Sequence, residues 1–395
     1  MEIFAKKTDY DFVGKIRIFG FFSGALVLGT FLLLGTKGLN FGIEFAGGTE
    51  ALARFSESVP TDELRGVATE IGLDQPDVVV YGSAGESRYL VRSRTRSLLS
   101  QAEIDKVRGA VVEKLGEPAL WDATDETGEE IRVRFDAPKS EDDLRAAVTS
   151  TGLENVQVTV QSAGTTPTWL VRMPGIRERL TRAAKAKFGE KFVQVERLES
   201  VGSAVGQQMK EQGALALLYA IIGILLYVTF RFDLRFGPGA IVSLAHDVIV
   251  TVGAFALFGW EFNLQIIAAL LAILGYSVND TVVIYDRIRE TALGSKTMSL
   301  RDVMNRALND TLSRTFITSG VTLLSVLSIL FFGGQVTEGF AMAMTIGMIS
   351  GVYSTVYIAS PVTLLMDNYL SKREALAAER RAAESANDVA PAPRP

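Results

Sequence analysis

An acid buried in apolar sequence is the side chain here best suited to chemistry. Asp280 sits beside Asn279 within residues 262–285, an otherwise mostly apolar run long enough to cross a bilayer. Placing an acid at membrane depth costs roughly 2.5–3.5 kcal/mol on insertion scales, so such a group usually marks an ion or proton path or a buried partner. A second polar pair, His246-Asp247, interrupts the apolar residues 239–258. Counting helical rise, both pairs fall on the order of 10 Å inside the same membrane boundary and can share one layer. Arg314 opens another apolar run, with Ser313, Thr315, Thr318 and Ser319 around it. Its long side chain can reach inward while its backbone stays at the interface.

These residue types suit coupling to an ion gradient. A carboxylate withdrawn from water favours its neutral form, so it can take a proton from one side and release it when a cation such as Arg314 approaches. Ser277 and Thr281 can hydrogen-bond the uncharged acid. Gain and loss of one charge then changes which helix packing is lowest in energy. Plainer readings stand beside this one. Asp280 can be half of a structural ion pair, Arg314 an interfacial charge, and His246 a pin for Asp247 or a backbone carbonyl. Gly347-x-x-x-Gly351 reads as close helix packing. Asp286, Arg287, Arg289 and Glu290 read as a solvated helix end.

The bulk sequence excludes several classes. Of 395 residues, 48% are hydrophobic and 22% charged. With a mean hydropathy of +0.23, the chain is too apolar for an ordinary soluble protein. There is no cysteine and one histidine, His246, so neither a disulfide framework nor a thiolate or histidine metal cage can be built. The phosphate-cradling G-x-x-x-x-G-K-[ST] pattern is absent, which argues against direct use of ATP. The net charge of −5 gives no reason to expect nucleic acid as a partner.

Six runs are long enough to span: 16–36, 213–230, 239–258, 262–285, 315–332 and 339–366. The first is too long for a signal core and lacks a small-residue cleavage site, so it is expected to remain as a spanning helix. Lys and Arg cluster before the first span, after the second, between the fourth and fifth, and after the sixth. The connections Gly259-Trp260-Glu261 and 333–338 carry neither. The excess of positive charge on the cytoplasmic side therefore predicts both termini in the cytoplasm and the large insert after span one outside it. Residues 1–15 form a cytoplasmic N-terminus and 213–370 hold spans two to six. In the cytoplasmic tail, 371–395, residues 372–384 are expected as a charged helix and 387–395 as disordered.

The insert repeats itself. An offset of 80 residues aligns Arg54-Phe55 with Arg134-Phe135, Leu64-Arg65 with Leu144-Arg145, Gly72-Leu73 with Gly152-Leu153, and Leu90-Val91-Arg92 with Leu170-Val171-Arg172. Each copy reads as strand (50–55; 130–135), helix starting near Thr61 or Ser140, two strands (77–81 with 88–92; 157–161 with 169–172) and a second helix (101–115; 176–188). A closing strand, 191–198, is clearer in the second copy. The order β-α-β-β-α-β predicts a ferredoxin-like sandwich in each copy, 37–122 and then 123–212 with the connection to the membrane. The expected fold class is thus a polytopic α-helical membrane protein with six transmembrane helices and an internally duplicated, extracytoplasmic α+β insert.

The run from Gly275-Tyr276-Ser277-Val278-Asn279-Asp280-Thr281 through Glu290 strongly resembles the fourth-span signature of the SecF family, within the resistance-nodulation-division superfamily. The stretch 42–49, with Gly42, Glu44, Gly47 and Gly48, resembles that family's G-I-D-F-x-G-G-T turn, although by residues alone it is only a turn leading into a strand. Leu244-Ala245-His246-Asp247 and Ser313-Arg314-Thr315 resemble its L-x-H-D and S-R-T. The chain departs from the pattern at Glu44, where Asp is usual, and at Val201-Gly202-Ser203, which lacks the proline of V-G-P. Its insert is also larger than the single ferredoxin-like domain expected. The resemblance implies a bacterial inner-membrane subunit of the Sec protein translocase, without enzymatic activity, cofactor or metal. It implies coupling of the proton-motive force to late-stage export of polypeptides, with SecD, the SecYEG channel, the translocating polypeptide and YajC as partners. By position it makes Asp280 and Arg314 the proton-pathway residues. A self-contained ion-coupled small-molecule exporter of the same superfamily is the rival reading, and a structural scaffold is a third.

Overall fold

The structure is a computed structural model that describes residues 8–82, 85–95, 101–123, 130–153, 156–162, 167–295 and 297–388. Lys6, Lys7 and Lys296 of the charge pattern, and residues 389–395 of the expected disordered tail, lie outside the described residues. Two compact units emerge, residues 42–210 and residues 1–41 with 211–395.

Helix α1 (Ile16–Thr36) is followed by a short strand β1 (Asn40–Phe41). The insert then runs α2 (Ile43–Ala46), β2 (Gly48–Phe55), α3 (Thr61–Glu70), β3 (Asp77–Tyr81), β4 (Arg88–Ser93), α4 (Gln101–Leu115) and β5 (Leu120–Ala123). It continues with β6 (Glu130–Arg134), α5 (Glu141–Thr149), β7 (Gln157–Ser162), β8 (Thr168–Arg172), α6 (Ile176–Phe188) and β9 (Phe192–Val201). Alternation drives the strands: Ala51, Ala53 and Phe55 on β2 and Ile131 and Val133 on β6, with Phe135 just beyond it, all point inward. On the helices the buried residues recur at i, i+3 and i+4, as Leu64, Val67 and Ala68 on α3 and Leu144, Ala147 and Val148 on α5. Leu64 and Leu144 are both 0% exposed, a burial that stabilises by roughly 1.5–3 kcal/mol each.

Two four-stranded sheets result, ordered β3-β4-β2-β9 and β5-β6-β8-β7. Both carry the strand order of a ferredoxin-like sandwich, but the helices are shared out differently from a simple tandem. Val107 and Val111 of α4 pack with Ile131, Val133 and Leu144 in the second sheet's core. Ile176, Leu180 and Ala184 of α6 pack with Ala51, Phe55 and Leu64 in the first. The closing strand β9 pairs with β2, not with the second sheet. The first sandwich is therefore β-α-β-β at its start and α-β at its end, with the complete second sandwich inserted between. Within the shared β-α-β-β portion the 80-residue offset holds in space as well. Glu50 faces Arg92 across β2 and β4, and Glu130 faces Arg172 across β6 and β8. Each pair is a salt bridge, at 2.8 Å and 2.6 Å.

The membrane unit adds α7 (Ser203–Arg231), α8 (Gly237–Phe258), β10 (Glu261–Phe262), α9 (Leu264–Gly294), α10 (Leu300–Phe332), α11 (Gln335–Ser354), a π-helical turn at Thr355–Ala359 and α12 (Ser360–Asp388). Among the described residues, six helical segments are long and apolar enough to cross a membrane. Several extend well past the apolar runs, because hydropathy marks only the part in lipid while polar helix formers continue the same hydrogen-bonded spiral into water. Helix α10 thus begins at Leu300, capped by Ser299, whose hydroxyl accepts from the Asp302 amide. The sixth span is carried by α11, the π turn and α12 in sequence, and α12 continues through the charged helix expected at 372–384. Strands β1 and β10 pair in parallel, an element the sequence pattern does not signal.

Glycines set the closest helix crossings. A side chain on Gly347 would run into Ile273, and one on Gly351 would press on Ser277, so the Gly-x-x-x-Gly stripe brings α11 onto α9. Gly239 similarly admits Tyr285 and Thr363, and Gly253 admits Thr30 of α1. In the most apolar window of each span, α8, α9 and the sixth span are 44%, 44% and 56% buried, against 11% for α1, α7 and α10. Ser243, His246 and Asp247 of α8, Ser277, Asp280 and Thr281 of α9, and Ser350 and Ser354 of α11 are buried in the interior of this unit.

Candidate functional site

Asp247 lies on α8 and is completely buried. Three hydroxyls from two neighbouring helices close on its carboxylate. Ser277 of α9 donates to Oδ2 at 2.7 Å, Ser354 of α11 donates to Oδ2 at 2.8 Å, and Ser350 donates to Oδ1 at 2.7 Å. Ser243, one turn earlier on α8, pairs with the Ser354 hydroxyl at 2.9 Å. His246 Nδ1 stands 3.4 Å from both Asp247 Oδ1 and Ser350 Oγ, and its Nε2 is buried with no hydrogen-bond partner among the described residues. Tyr353 tilts over the imidazole at 5.9 Å and donates its own hydroxyl to the Phe19 carbonyl of α1.

Asp280 occupies a second, separate place. It faces α10 rather than α8, is 4% exposed, and accepts a hydrogen bond from Ser319 at 3.1 Å. Arg314 is exposed at the surface of α10, and no ion pair within 4.0 Å joins it to Asp280 among the described residues. An apolar cleft of about 300 Å³ opens beside this contact, lined by Thr315, Phe316, Ser319 and Gly320 of α10 and by Met348 and Val352 of α11.

The single layer expected from the sequence is therefore two sites. Ser277 donates to Asp247 and forms no hydrogen bond with Asp280 among the described residues. Thr281 donates to the Ser277 carbonyl at 3.0 Å and pairs with Thr355 of the π turn at 3.1 Å, which leaves it no bond to Asp280. Asn279 is exposed on the outer side of α9, away from both acids. Asp286, Arg287 and Glu290 form exposed ion pairs, Asp286 with Arg231 at 3.5 Å and Arg287 with Asp310 at 2.6 Å and Glu290 at 2.7 Å, consistent with a solvated helix end. Ser243, Ser350, Ser354 and Thr355 join these sites without being among the residues expected from the sequence. The signal was present: serines at i and i+4 on α11, beside glycines at the same spacing, place hydroxyls on the face that packs most closely.

The glycine turn belongs to the insert. Gly42 starts the short helix α2, with Glu44 in its first turn and the Glu44 Oε2 atom buried without a partner among the described residues. Gly47 has φ +73° and Gly48 φ +132°, and a side chain on Gly48 would collide with the Ser93 carbonyl. Both glycines are needed to turn the chain from α2 into β2. No group of three or more metal-binding side chains occurs among the described residues.

Two family models match. "Protein export membrane protein SecD/SecF, C-terminal" covers residues 181–369 and includes both buried acids; "SecD/SecF GG Motif" covers residues 32–59 and includes the glycine turn. Protein translocase subunit SecF of Calditerrivibrio nitroreducens is 34% identical over 384 residues, 94% of this chain and 99% of that protein. Its counterpart in Koribacter versatilis is 32% identical over 387 residues, 94% of this chain and 95% of the relative. Among solved structures, the translocon-associated membrane protein SecDF from Thermus matches with a TM-score of 0.62 and 27% identity over 93% of this chain. This chain spans 40% of that SecDF chain. With near-complete coverage of relatives above 30% identity, and both motif regions matched, the chain belongs to the SecF family of protein translocase subunits.

Proposed function

We propose that this chain is the SecF half of a SecD–SecF pair in the bacterial inner membrane, and that it converts the proton-motive force into late-stage export of polypeptides. The observation that carries the reading is Asp280, a buried acid within a spanning helix that accepts a hydroxyl hydrogen bond from Ser319 of the next helix. A carboxylate so placed changes its interactions strongly when it gains or loses a proton. That change alters how α9 meets α10, and motion follows from the altered packing. Coverage of 40% of the SecDF chain supports the need for a second half, supplied by SecD.

In this reading both termini lie in the cytoplasm and residues 42–210 lie outside it, following the distribution of Lys and Arg. The SecYEG channel supplies the path for the polypeptide, and YajC is an accessory companion. The repeated register of Glu50–Arg92 and Glu130–Arg172 supports an origin of the insert by duplication. The role is mechanical rather than enzymatic.

The test is export by inverted vesicles containing this chain with SecD and SecYEG, under a proton gradient or a sodium gradient imposed separately. Stimulation by the proton gradient alone supports the proposal. Stimulation by sodium alone, or by neither, removes it.

A further inference from the structure

Asp247 is enclosed more tightly than Asp280, and nothing in the coupling scheme above uses it. Its carboxylate is 0% exposed, and no Lys or Arg lies within 4.0 Å of it among the described residues. Three serine hydroxyls reach it from α9 and α11, and among the described residues His246 is the one titratable group bonded to it. Other titratable groups within the membrane stretch of the elements around α8 are Arg17 on α1, Tyr276, Asp280 and Tyr285 on α9, Tyr353 on α11 and Tyr357 in the π turn. None of these forms a hydrogen bond with Asp247 among the described residues. A buried carboxylate without a cation is costly even when hydrogen-bonded, and neutralisation removes that cost.

We infer that Asp247 is a second proton-binding site of the membrane unit, distinct from Asp280, and that Ser277, Ser350 and Ser354 are the cage that lets it hold either charge state. Ser354 supplies the adjustable part. Its hydroxyl has Asp247 Oδ2 at 2.8 Å and the Gly351 carbonyl at 3.1 Å within reach as acceptors, beside the Ser243 hydroxyl at 2.9 Å. When a proton from water joins Oδ2, the new acid O–H donates to Ser354 Oγ, and the serine turns its own hydrogen to the Gly351 carbonyl. Release reverses both bonds and returns the proton to water. No bond to carbon changes and no electron moves. The hydroxyl hydrogens already point at both carboxylate oxygens, which suits a proton better than a metal ion seated among them.

Placement gives the site leverage. Asp247 ties α8 to α9 through Ser277 and to α11 through Ser350 and Ser354, and the π turn starts at the residue after Ser354. Such π segments interrupt regular helix pairing and recur at functional positions. Protonation of Asp247 therefore changes bonds at the junction of three spans. Its part in export rests on the proton-coupled reading above, whereas binding of the proton does not.

The experiment is infrared difference spectroscopy of the whole chain with SecD in liposomes, titrated in pH, following the C=O bands of protonated carboxyl groups. The inference expects Asp247→Asn to remove one titrating band and Asp280→Asn to remove a different one. Ser354→Ala should shift the pH midpoint of the Asp247 band and leave the Asp280 band in place; this variant carries the test if Asp247→Asn fails to assemble. An Asp247→Asn protein with the wild-type set of bands, or an Asp247 band unmoved in Ser354→Ala, would overturn it. Loss of the Asp247 band on adding sodium at constant pH would give the site to an alkali cation instead. If the Asp247 band titrates while export ignores the proton gradient, the coupling proposal fails and this one stands.

Discussion

Ser319 donates to the Asp280 carboxylate across 3.1 Å, joining α10 to α9 beside the apolar cleft. No other donor to Asp280 occurs among the described residues, so this one bond sets how the acid's charge is shared between the two helices. Ser319→Ala removes a hydrogen bond to a group that can be charged, worth about 1.5 kcal/mol. Export stimulated by a proton gradient in vesicles should fall by roughly tenfold, with the amount of assembled complex unchanged on native gels.

In the insert, Glu50 is 8% exposed and held by Arg92 at 2.8 Å and Arg197 at 3.1 Å, one strand on each side. Glu50→Ala leaves two guanidinium groups without their shared acid. Hydrogen exchange of β2, β4 and β9 in the whole chain should show local stability lowered by about 1.5–3 kcal/mol. Glu130→Ala should cost less, because the Glu130 and Arg172 side chains are 34% and 48% exposed.

Gly48→Ala tests the glycine turn. At φ +132°, with the Ser93 carbonyl where the new Cβ must go, no relaxed conformation remains for alanine. The expected loss is about 3 kcal/mol, read as increased protease sensitivity of residues 42–210. Gly85→Ala, whose Cβ would meet nothing within 4 Å, serves as the comparison for strain without collision.

Gly347→Val should separate α11 from α9, since the new side chain meets Ile273. Overpacking of this kind costs about 1–3 kcal/mol. A lowered midpoint for thermal aggregation in detergent would report it. Gly20→Val on α1, with open space around it, should leave the midpoint unchanged.

The spans and the acids were legible because the cost of each is local: about 20 apolar residues must cover the bilayer, and an acid among them is conspicuous. The hydroxyl partners were not, since a serine in an apolar helix reads as one more small residue until packing shows what it faces. Ser350 and Ser354 became donors only when α11 packed against α8, beside the close crossing of Gly347 and Gly351 on α9. The matching residues at an offset of 80 were legible, yet the exchange of α4 and α6 between sandwiches was not. Both are amphipathic helices followed by strands, and either could close either sheet; only the three-dimensional pairing of β9 with β2 decides.

Asp280→Asn in export vesicles tests the central claim most directly, because asparagine keeps the shape and the Ser319 bond but cannot carry the proton. With SecD and SecYEG present and ATP supplied, the account predicts that the variant assembles and exports at the same rate with and without an imposed proton gradient, while the unmodified protein is stimulated. Stimulation of the Asp280→Asn protein equal to that of the unmodified protein would contradict the account.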